Sequence, residues 1–496
     1  MGNQENNVNE FEKKLWQALC AMRGKIPLDQ DKDILLGLIF LCFAEVSFEN
    51  ARIILQKAEI ATGRHLLENP ENYAMLNSIY LNDEARWKTI KEADEKSIGK
   101  VIDRAMINIA MNNRDLEKAV FMDFRSENID QPTLKKIVDI LSEIDFSAFK
   151  KSQDLLGRAY EYCLKQSAIN GQGEYYSPKC LVEILVHVTE PDDGCILYEP
   201  CAGSGGMIVQ SMKYIKSKGG QTMSIYAQES MPNTWRIAKQ NMTIRGIKAD
   251  FSDHPADTLL DDQHKEVKAD IILANIPFNL VWDYEKCEND ERWIYGVPKG
   301  NANFAWIQHM LWHLKENGRI GVIMSNGAGI SHVWNDGIIR QGIIEDDLVE
   351  GIIAVPSRTF YSTTVAASIW ILNKKKKRPG TTLFIDAKSM GTMINKQCRE
   401  LTTDERDKIV ATFKRYRNGE DIDEAGFAKS VATEVIKNNN YELTAGIYIS
   451  VPNTNRNKQK LREELADDYE QYLQLNEKNT ALCSEVDDSM ETFLTW

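Results

Sequence analysis

The sequence predicts an α/β protein in which a doubly wound, mostly parallel sheet follows an all-helical N-terminal domain and precedes a helical C-terminal tail. Three observations lead there. From about Cys195, six short apolar runs (ILYEP, SIYAQE, ADIILAN, GRIGVIMSN, LVEGIIAVP and SIWILNK) alternate with turns and helical patterns, as strands do in a wound sheet. The first 150 residues instead keep apolar residues at helical spacing, with few Gly or Pro. In the last forty residues Leu461, Leu465, Tyr472, Leu475, Leu482 and Val486 fall on alternating four- and three-residue steps interrupted by Asp468 and Asn479, an imperfect heptad seam.

In chain order, Phe11, Leu15, Leu19 and Met22 open the helical region, and the runs around Ile34–Ile60, Ile98–Asn112 and Leu134–Ile144 continue it. The longest apolar stretch, Ile34–Val46, has 13 residues. A helix crossing hydrocarbon needs about 20, so this stretch reads as a buried helix and no membrane partner is expected. The N-terminus is polar and acidic where a secretion signal is basic and then apolar, which points to the cytoplasm. The nine cysteines are scattered without a C-x-x-C pair, so reduced thiols are expected rather than a disulfide framework or zinc cluster.

At 496 residues, 43% apolar and 27% charged, the chain has the composition of a folded protein of several domains. Its net charge of −13 makes it a poor electrostatic match for a polyanion. The basic run Lys374–Arg378 before Pro379 and Gly380 is the clearest candidate boundary, giving segments 1–150, 151–380 and 381–496. The run itself reads as a solvated turn, with a phosphate contact as the alternative. The tail carries 4 Lys+Arg against 10 Asp+Glu from Asn457 to Trp496, and either folds back or packs against a partner's helix.

The segment Cys195–Val209 reads as a strand, Glu199-Pro200, then a turn of Ala202, Gly203, Ser204, Gly205 and Gly206 entering a helix. Dinucleotide-binding enzymes use a similar turn, but the third glycine is misplaced here, and an acidic residue before the turn would repel a pyrophosphate. It suits a cationic amine or sulfonium instead. The next strand ends at Glu229, where a carboxylate can accept from two ribose hydroxyls, and Asp257 follows where a third strand would end. Three carboxylates at successive strand ends suit S-adenosylmethionine.

The fourth expected strand ends in Asn275-Ile276-Pro277-Phe278. An exocyclic amine on an aromatic base is a poor nucleophile because its lone pair is delocalised. A site that accepts hydrogen bonds from both amino hydrogens, through the Asn275 side chain and the Ile276 carbonyl, localises that lone pair toward a methyl donor. Phe278 would stack on the base, which must first leave the DNA duplex. Aromatic residues from Trp282 to Trp306 either line the entry to that pocket or pack beneath a long loop. His309 and His313 have metal-ligand spacing, but Met310 stands where a zinc-protease pattern needs Glu, and methyl transfer from a sulfonium requires no metal. No metal is expected.

Together these residues resemble the modification (M) subunits of type I restriction–modification systems, DNA adenine-N6 methyltransferases of the gamma class with a Rossmann-like sheet. The resemblance runs through LWQALCAMRG, ILLGLIFL, DLLGRAYEYCL at Asp154–Leu164, GEYYSP at Gly173–Pro178, EPCAGSGG and ANIPFN. It continues through Arg292–Leu311, GRIGVIMSNG, Leu348–Leu372 and Asn439–Ile449. It implies that Tyr175, Tyr176, Ser177 and Pro178 close over the methionine end of the cofactor, that Glu199, Gly203 and Gly205 form its main binding turn, that Glu229 takes its ribose and that Asp257 reads its adenine. Asn275, Pro277 and Phe278 match the catalytic N-P-P-F or N-P-P-Y motif, in which Ile276 replaces Pro, keeping the carbonyl but losing the fixed φ.

The resemblance also implies partners. Sequence reading belongs to a separate specificity subunit that binds two copies of the M subunit, with the helical termini as docking elements and the N-terminal domain clamping DNA. An acidic chain is then reasonable. A motor and nuclease subunit would join for restriction, and this chain lacks the G-x-x-x-x-G-K-[ST] loop of that subunit. Three readings stand beside this one: a methyltransferase of glutamine or another amine, a non-catalytic assembly or DNA-clamping subunit suggested by Ile276, and a nicotinamide-dependent oxidoreductase resting on the Gly-rich turn alone.

Overall fold

The computed structural model describes residues 13–27, 30–121, 123–144, 177–360, 365–394, 398–450 and Tyr469. Tyr175, Tyr176, the 154–164 segment and the heptad seam lie outside the described residues.

The N-terminal region is helical, as the spacing predicts, with helices over 13–22, Asp31–Thr62, Pro70–Met75, Trp87–Glu92, Ile98–Asn112 and Gln131–Ser142. The last begins where the Asp130 side chain accepts the Thr133 N–H, with Pro132 in its first turn, and it buries Leu134, Ile137, Val138 and Leu141 along one stripe. The Asp31–Thr62 helix has 32 residues and stops at Gly63, whose φ of 66° closes the last turn on the Glu59 carbonyl. By length and hydropathy it could cross a membrane, but 72% of its apolar window is buried inside the protein. Its apolar residues from Ile34 to Ala44 form the centre of the N-terminal core.

That core reaches the sheet through the Pro232–Ile244 helix. Ile237 and Ile244 join it, Gln240 Nε2 donates to the Ala119 carbonyl at 2.7 Å, and Asn233 Nδ2 donates to Asp33 at 2.8 Å.

The sheet strands are β1 (Ile196–Glu199), β2 (Ser224–Ala227), β3 (Ala269–Asn275), β4 (Leu314–Ser325), β5 (Val349–Ala354), β6 (Ala367–Asn373) and β7 (Thr381–Asp386). A small separate ribbon follows, β8 (Thr392–Met393) with β9 (Arg399–Glu400), and then β10 (Asp423–Glu424) and β11 (Ala428–Ala432) return to the main sheet. The nine strands lie in the order β10-β11-β7-β5-β6-β4-β3-β1-β2. β2, β1, β3 and β4 run parallel, while β6 runs antiparallel to both β4 and β5. The chain leaves β1 to form β2 on one side and returns to form β3 on the other, so the topological switch point lies between β1 and β3. In such sheets a ligand crevice opens beyond the carboxyl ends of the two strands, here Glu199 and Asn275.

Three expectations need correction. The strand expected before Asp257 is reduced to a single bridge, Tyr226 to Asp250. Asp250 Oδ1 takes the Ser252 N–H at 2.9 Å, and Ser252 turns to a φ of 58°, which ends the pairing at once.

The basic run is not a boundary, because the sheet continues beyond it through β7 and β11 and one compact unit extends to Ile449. The Thr403–Arg417 helix, begun by a capping box of Thr402 and Glu405, packs against the Lys179–Thr189 helix. At its end Arg417 forks onto the buried Glu350 of β5, with bonds of 3.0 and 2.5 Å.

Nor is the run simply a solvated turn. Lys376 is buried and donates to Asp347, Val349 and Thr381, Lys374 donates to the Leu314 carbonyl, and Arg378 pairs with Asp421. Alternate cations fold back onto the sheet edge and stitch it.

Candidate active site

The crevice at the switch point is built by three short turns. After β1, Gly203 (φ 54°) and Gly205 (φ 79°) bend the chain into the Gly206–Ser217 helix. The turn is pinned on several sides. The Ala202 N–H donates to the Gln228 carbonyl at 2.9 Å, the Gly203 N–H donates to Glu229 Oε2 at 2.9 Å, and Asn241 Nδ2 holds the Ser204 carbonyl at 2.8 Å. A Cβ at Gly203 or Gly206 would meet nothing within 4 Å, so both face open space, whereas at Gly205 it would sit 2.7 Å from Met242 Cε. Gly205 is therefore a packing glycine, and Gly203 and Gly206 line the cradle.

Glu199 ends β1 buried beneath this turn. Burial pushes its carboxyl well above the usual carboxylate range, opposed by the Ile208 N–H it accepts and reinforced by the nearby Glu229 charge. Its Oε2 is buried and has no hydrogen-bond partner among the described residues. Such an atom is costly unless a ligand completes it. The same burial, with Glu199 and Glu229 alongside, pushes the Cys201 thiol up and keeps it protonated.

Glu229 follows β2 and takes the Met231 N–H on Oε1 at 2.8 Å as well as the Gly203 N–H on Oε2. Its own carbonyl accepts the Ala256 N–H at 3.1 Å, which brings the Asp257 turn against it. Asp257 is exposed and accepts the Leu259 N–H at 2.9 Å on Oδ1. The structure thus gathers Glu199, the glycine turn, Glu229 and Asp257 around one crevice.

Asn275 ends β3 on the other side of that crevice. Its Nδ2 donates to Ser177 Oγ at 2.9 Å, which fixes the amide, and its Oδ1 is buried with no partner among the described residues. Ile276 is turned inward, 3% exposed, into the core that includes Ile272, Ala274 and Trp282. Only the backbone of Ile276 is thus left to serve the site. Phe278 is half-buried and meets Phe360 edge to face at 5.9 Å between centroids. The backbone then reverses at Asn279 (φ 55°), which exchanges hydrogen bonds of 2.9 Å with the buried Asn303. Trp282 and Trp293 pack edge to face under the loop that follows.

His309 and His313 are fully buried and belong to a polar network. Tyr198 Oη lies 3.0 Å from His309 Nε2, and His313 Nε2 lies 2.9 Å from Asp262 Oδ2. Although burial opposes it, the His313 hydrogen bond holds the Asp262 carboxyl far below its usual range, while burial lowers His309.

Several contributors escaped the sequence reading: Asn241 on the glycine turn, Phe360 against Phe278, and Arg292, whose guanidinium reaches the His309 ring and the carbonyls of Thr258 and Leu259. Ser177 was expected at the cofactor, yet its hydroxyl sits on the Asn275 amide.

Residues 151–457 match the family described as N-6 DNA methylase, and residues 11–141 match the HsdM N-terminal domain. Among curated relatives, the HindI methylase subunit of a Haemophilus influenzae type I restriction enzyme is 38% identical over 74% of this chain and 88% of its own length. The MjaIX methylase subunit of a Methanocaldococcus jannaschii type I restriction enzyme is 33% identical over 89% of this chain and 84% of its own. A type I restriction–modification methyltransferase subunit of Streptococcus thermophilus has the same fold, with a TM-score of 0.76, 24% identity, and coverage of 90% of this chain and all of that one.

Proposed function

The chain belongs to the N-6 DNA methylase family, and from that premise we propose that it is the modification subunit of a type I restriction–modification assembly, moving a methyl group from S-adenosylmethionine to the N6 amine of a flipped-out adenine in DNA. The observation that carries the reading is the Asn275 amide: Nδ2 held by Ser177, Oδ1 buried and without a partner among the described residues at the switch point.

The crevice fits such a donor. Glu199 Oε2 is an orphaned buried acceptor, Gly203 and Gly206 leave room above it, and the lining is acidic. When bound, S-adenosylmethionine supplies a methyl group on a positively charged sulfur. Glu199 attracts that cationic end, Glu229 stands where its carboxylate can accept from ribose hydroxyls, and Asp257 keeps Oδ2 for an adenine amine. Asn275 Oδ1 accepts one N6 hydrogen of the target base and the Ile276 carbonyl accepts the other, which localises the nitrogen lone pair. Phe278, braced by Phe360, offers the base a stacking face. In this reading the chain works beside a second copy of itself and a specificity subunit that reads the DNA, with the N-terminal helices available for assembly.

The alternative, a subunit that has lost turnover, rests on Ile276. The inward side chain argues against it, because the backbone of the motif is kept while the substitution is absorbed by the core.

The test is methyl transfer to adenine-unmethylated DNA by the chain co-purified with its specificity subunit. N6-methyladenine is expected from the wild type and is lost in Asn275→Ala, with cofactor binding and assembly intact. Methylation by that variant, or none by an assembled wild type that binds S-adenosylmethionine, overturns the catalytic reading.

A further inference from the structure

We propose that Arg292 is a positioning residue for the cofactor: from the loop that follows the catalytic motif it holds the Asp257–Leu260 turn in place. This rests on the reading that Asp257 takes the cofactor's adenine.

Arg292 is 5% exposed, and all five of its guanidinium N–H groups have acceptors. Nε donates to Asp290 Oδ1 at 2.9 Å and Nη2 to Asp290 Oδ2 at 2.7 Å, which neutralises the buried charge. The other Nη2 hydrogen goes to the Leu259 carbonyl at 2.6 Å, and Nη1 serves the Thr258 carbonyl at 3.2 Å and His309 Nδ1 at 2.9 Å. Two consecutive carbonyls of the turn are therefore held by one planar group. The N–H of Leu259 bonds to Asp257 Oδ1, so this residue is fixed at its carbonyl by Arg292 while its amide orients the Asp257 carboxylate. Thr258 Oγ1 also donates to the Pro200 carbonyl at 2.6 Å, just ahead of the glycine turn.

The histidines supply the mount for this group. Because His309 Nδ1 accepts from Arg292, its proton sits on Nε2 and is donated to Tyr198 Oη at the end of β1. Asp262, His309 and His313 present ligand atoms within 4.8 Å of one another, which by spacing alone could hold a metal ion. The contacts speak otherwise. Both nitrogens of each ring are engaged, and a cation at His309 would face the guanidinium at 2.9 Å. Trp293, the residue after Arg292, packs on Trp282 in the buried core, which anchors the loop that carries the guanidinium.

A lysine keeps the charge but has three donors and no plane, so it cannot hold two carbonyls, a carboxylate and a ring nitrogen together. In the full chain co-purified with its specificity subunit, Arg292→Lys is expected to weaken S-adenosylmethionine binding by about tenfold. The KM for the cofactor rises in step, while kcat at saturating cofactor stays within about twofold of wild type, since the Arg292 guanidinium spends its five donors away from Asn275 and Ser177.

Asp257→Ala should weaken binding as well, and adding Arg292→Lys to it should cost little more, because both act through one turn. Wild-type affinity in a folded Arg292→Lys, multiplicative losses in the double variant, or an equal fall in kcat overturns the proposal. Should Arg292→Lys fail to fold, Asp290→Asn loosens the guanidinium without removing it and is read by the same criteria. Wild-type affinity in Asp257→Ala alone instead defeats the adenine reading of Asp257, which is a separate failure.

Discussion

Ser177→Ala separates two roles for one hydroxyl. The family resemblance puts Ser177 in the segment that closes over the cofactor, but the structure puts its Oγ 2.9 Å from Asn275 Nδ2. Removing it leaves the backbone intact and deletes one neutral, half-buried hydrogen bond, a loss of about 0.5–1.5 kcal/mol. If that bond serves to aim Asn275 Oδ1 at the amine, the loss falls on the transition state, and kcat drops by about two- to tenfold. Cofactor affinity should change by less than about twofold, because Ser177 has no hydrogen bond to Glu199, Gly203, Glu229 or Asp257 among the described residues. Single-turnover methylation with the cofactor saturating gives the chemical step, and calorimetry gives the affinity. A variant whose affinity falls while its single-turnover rate holds would refute the orienting role and return Ser177 to the cofactor.

The two glycines of the turn should respond differently. Gly203→Ala forces a side chain into left-handed backbone at about 1–2 kcal/mol, meets no atom, and places a methyl group in the cradle, so cofactor binding should fall by more than tenfold with modest loss of stability. Gly205→Ala adds contact with Met242 to the same strain and should lower the melting temperature more while sparing affinity; equal effects on binding would undo this division.

Glu199, raised by burial, binds its proton more tightly folded than unfolded, so it favours the folded state at low pH. That contribution is lost as pH climbs from about 4.5 toward the folded value, and a cationic ligand that recruits the carboxylate should release a proton on binding. Calorimetry in buffers of differing ionisation enthalpy should show that release in wild type and not in Glu199→Gln. Finally, Glu350→Gln strips the nearer of two carboxylates from the buried Arg417, leaving Glu190 at 3.6 Å, and should destabilise by about 1–3 kcal/mol. A denaturation midpoint unchanged from wild type would mean the fork does not hold the 403–417 helix to the sheet.

What the sequence revealed of the site is what is contiguous in it. The glycine turn, Glu199, Glu229 and the Asn275 motif each sit at a strand end, and a strand end is readable from a short apolar run and the turn after it. The links between them are not. Ser177 and Asn275 are 98 residues apart, and Arg292 and the carbonyls it holds are 33 and 34 apart. An arginine inside an aromatic loop looks like any solvated arginine until five acceptors surround it.

The misread boundary has the same origin. Composition shows five cations in a row before Pro-Gly, but the partners that draw Lys374, Lys376 and Arg378 back are mostly distant in sequence: Leu314 of β4, Asp347 and Val349 at the start of β5, and the Glu420–Asp421 corner. The third strand was lost to a single Asx turn at Asp250, too short a signal to outweigh a plausible strand pattern.

The proposed crevice adds a local conflict to the acidic balance of the chain. In the proposed reading a cationic methyl donor sits among carboxylates at adjacent strand ends, Glu199, Glu229 and Asp257, close to where the target base enters. Their charge opposes an approaching phosphate backbone, and with a formal charge of −13 the whole chain offers little to offset it. Burial moderates the conflict, because it raises the Glu199 carboxyl and so disfavours its charged form, and in the proposed reading a bound cation would match that charge. In the reading proposed above, the rest of the attraction comes from the specificity subunit, which reads the DNA.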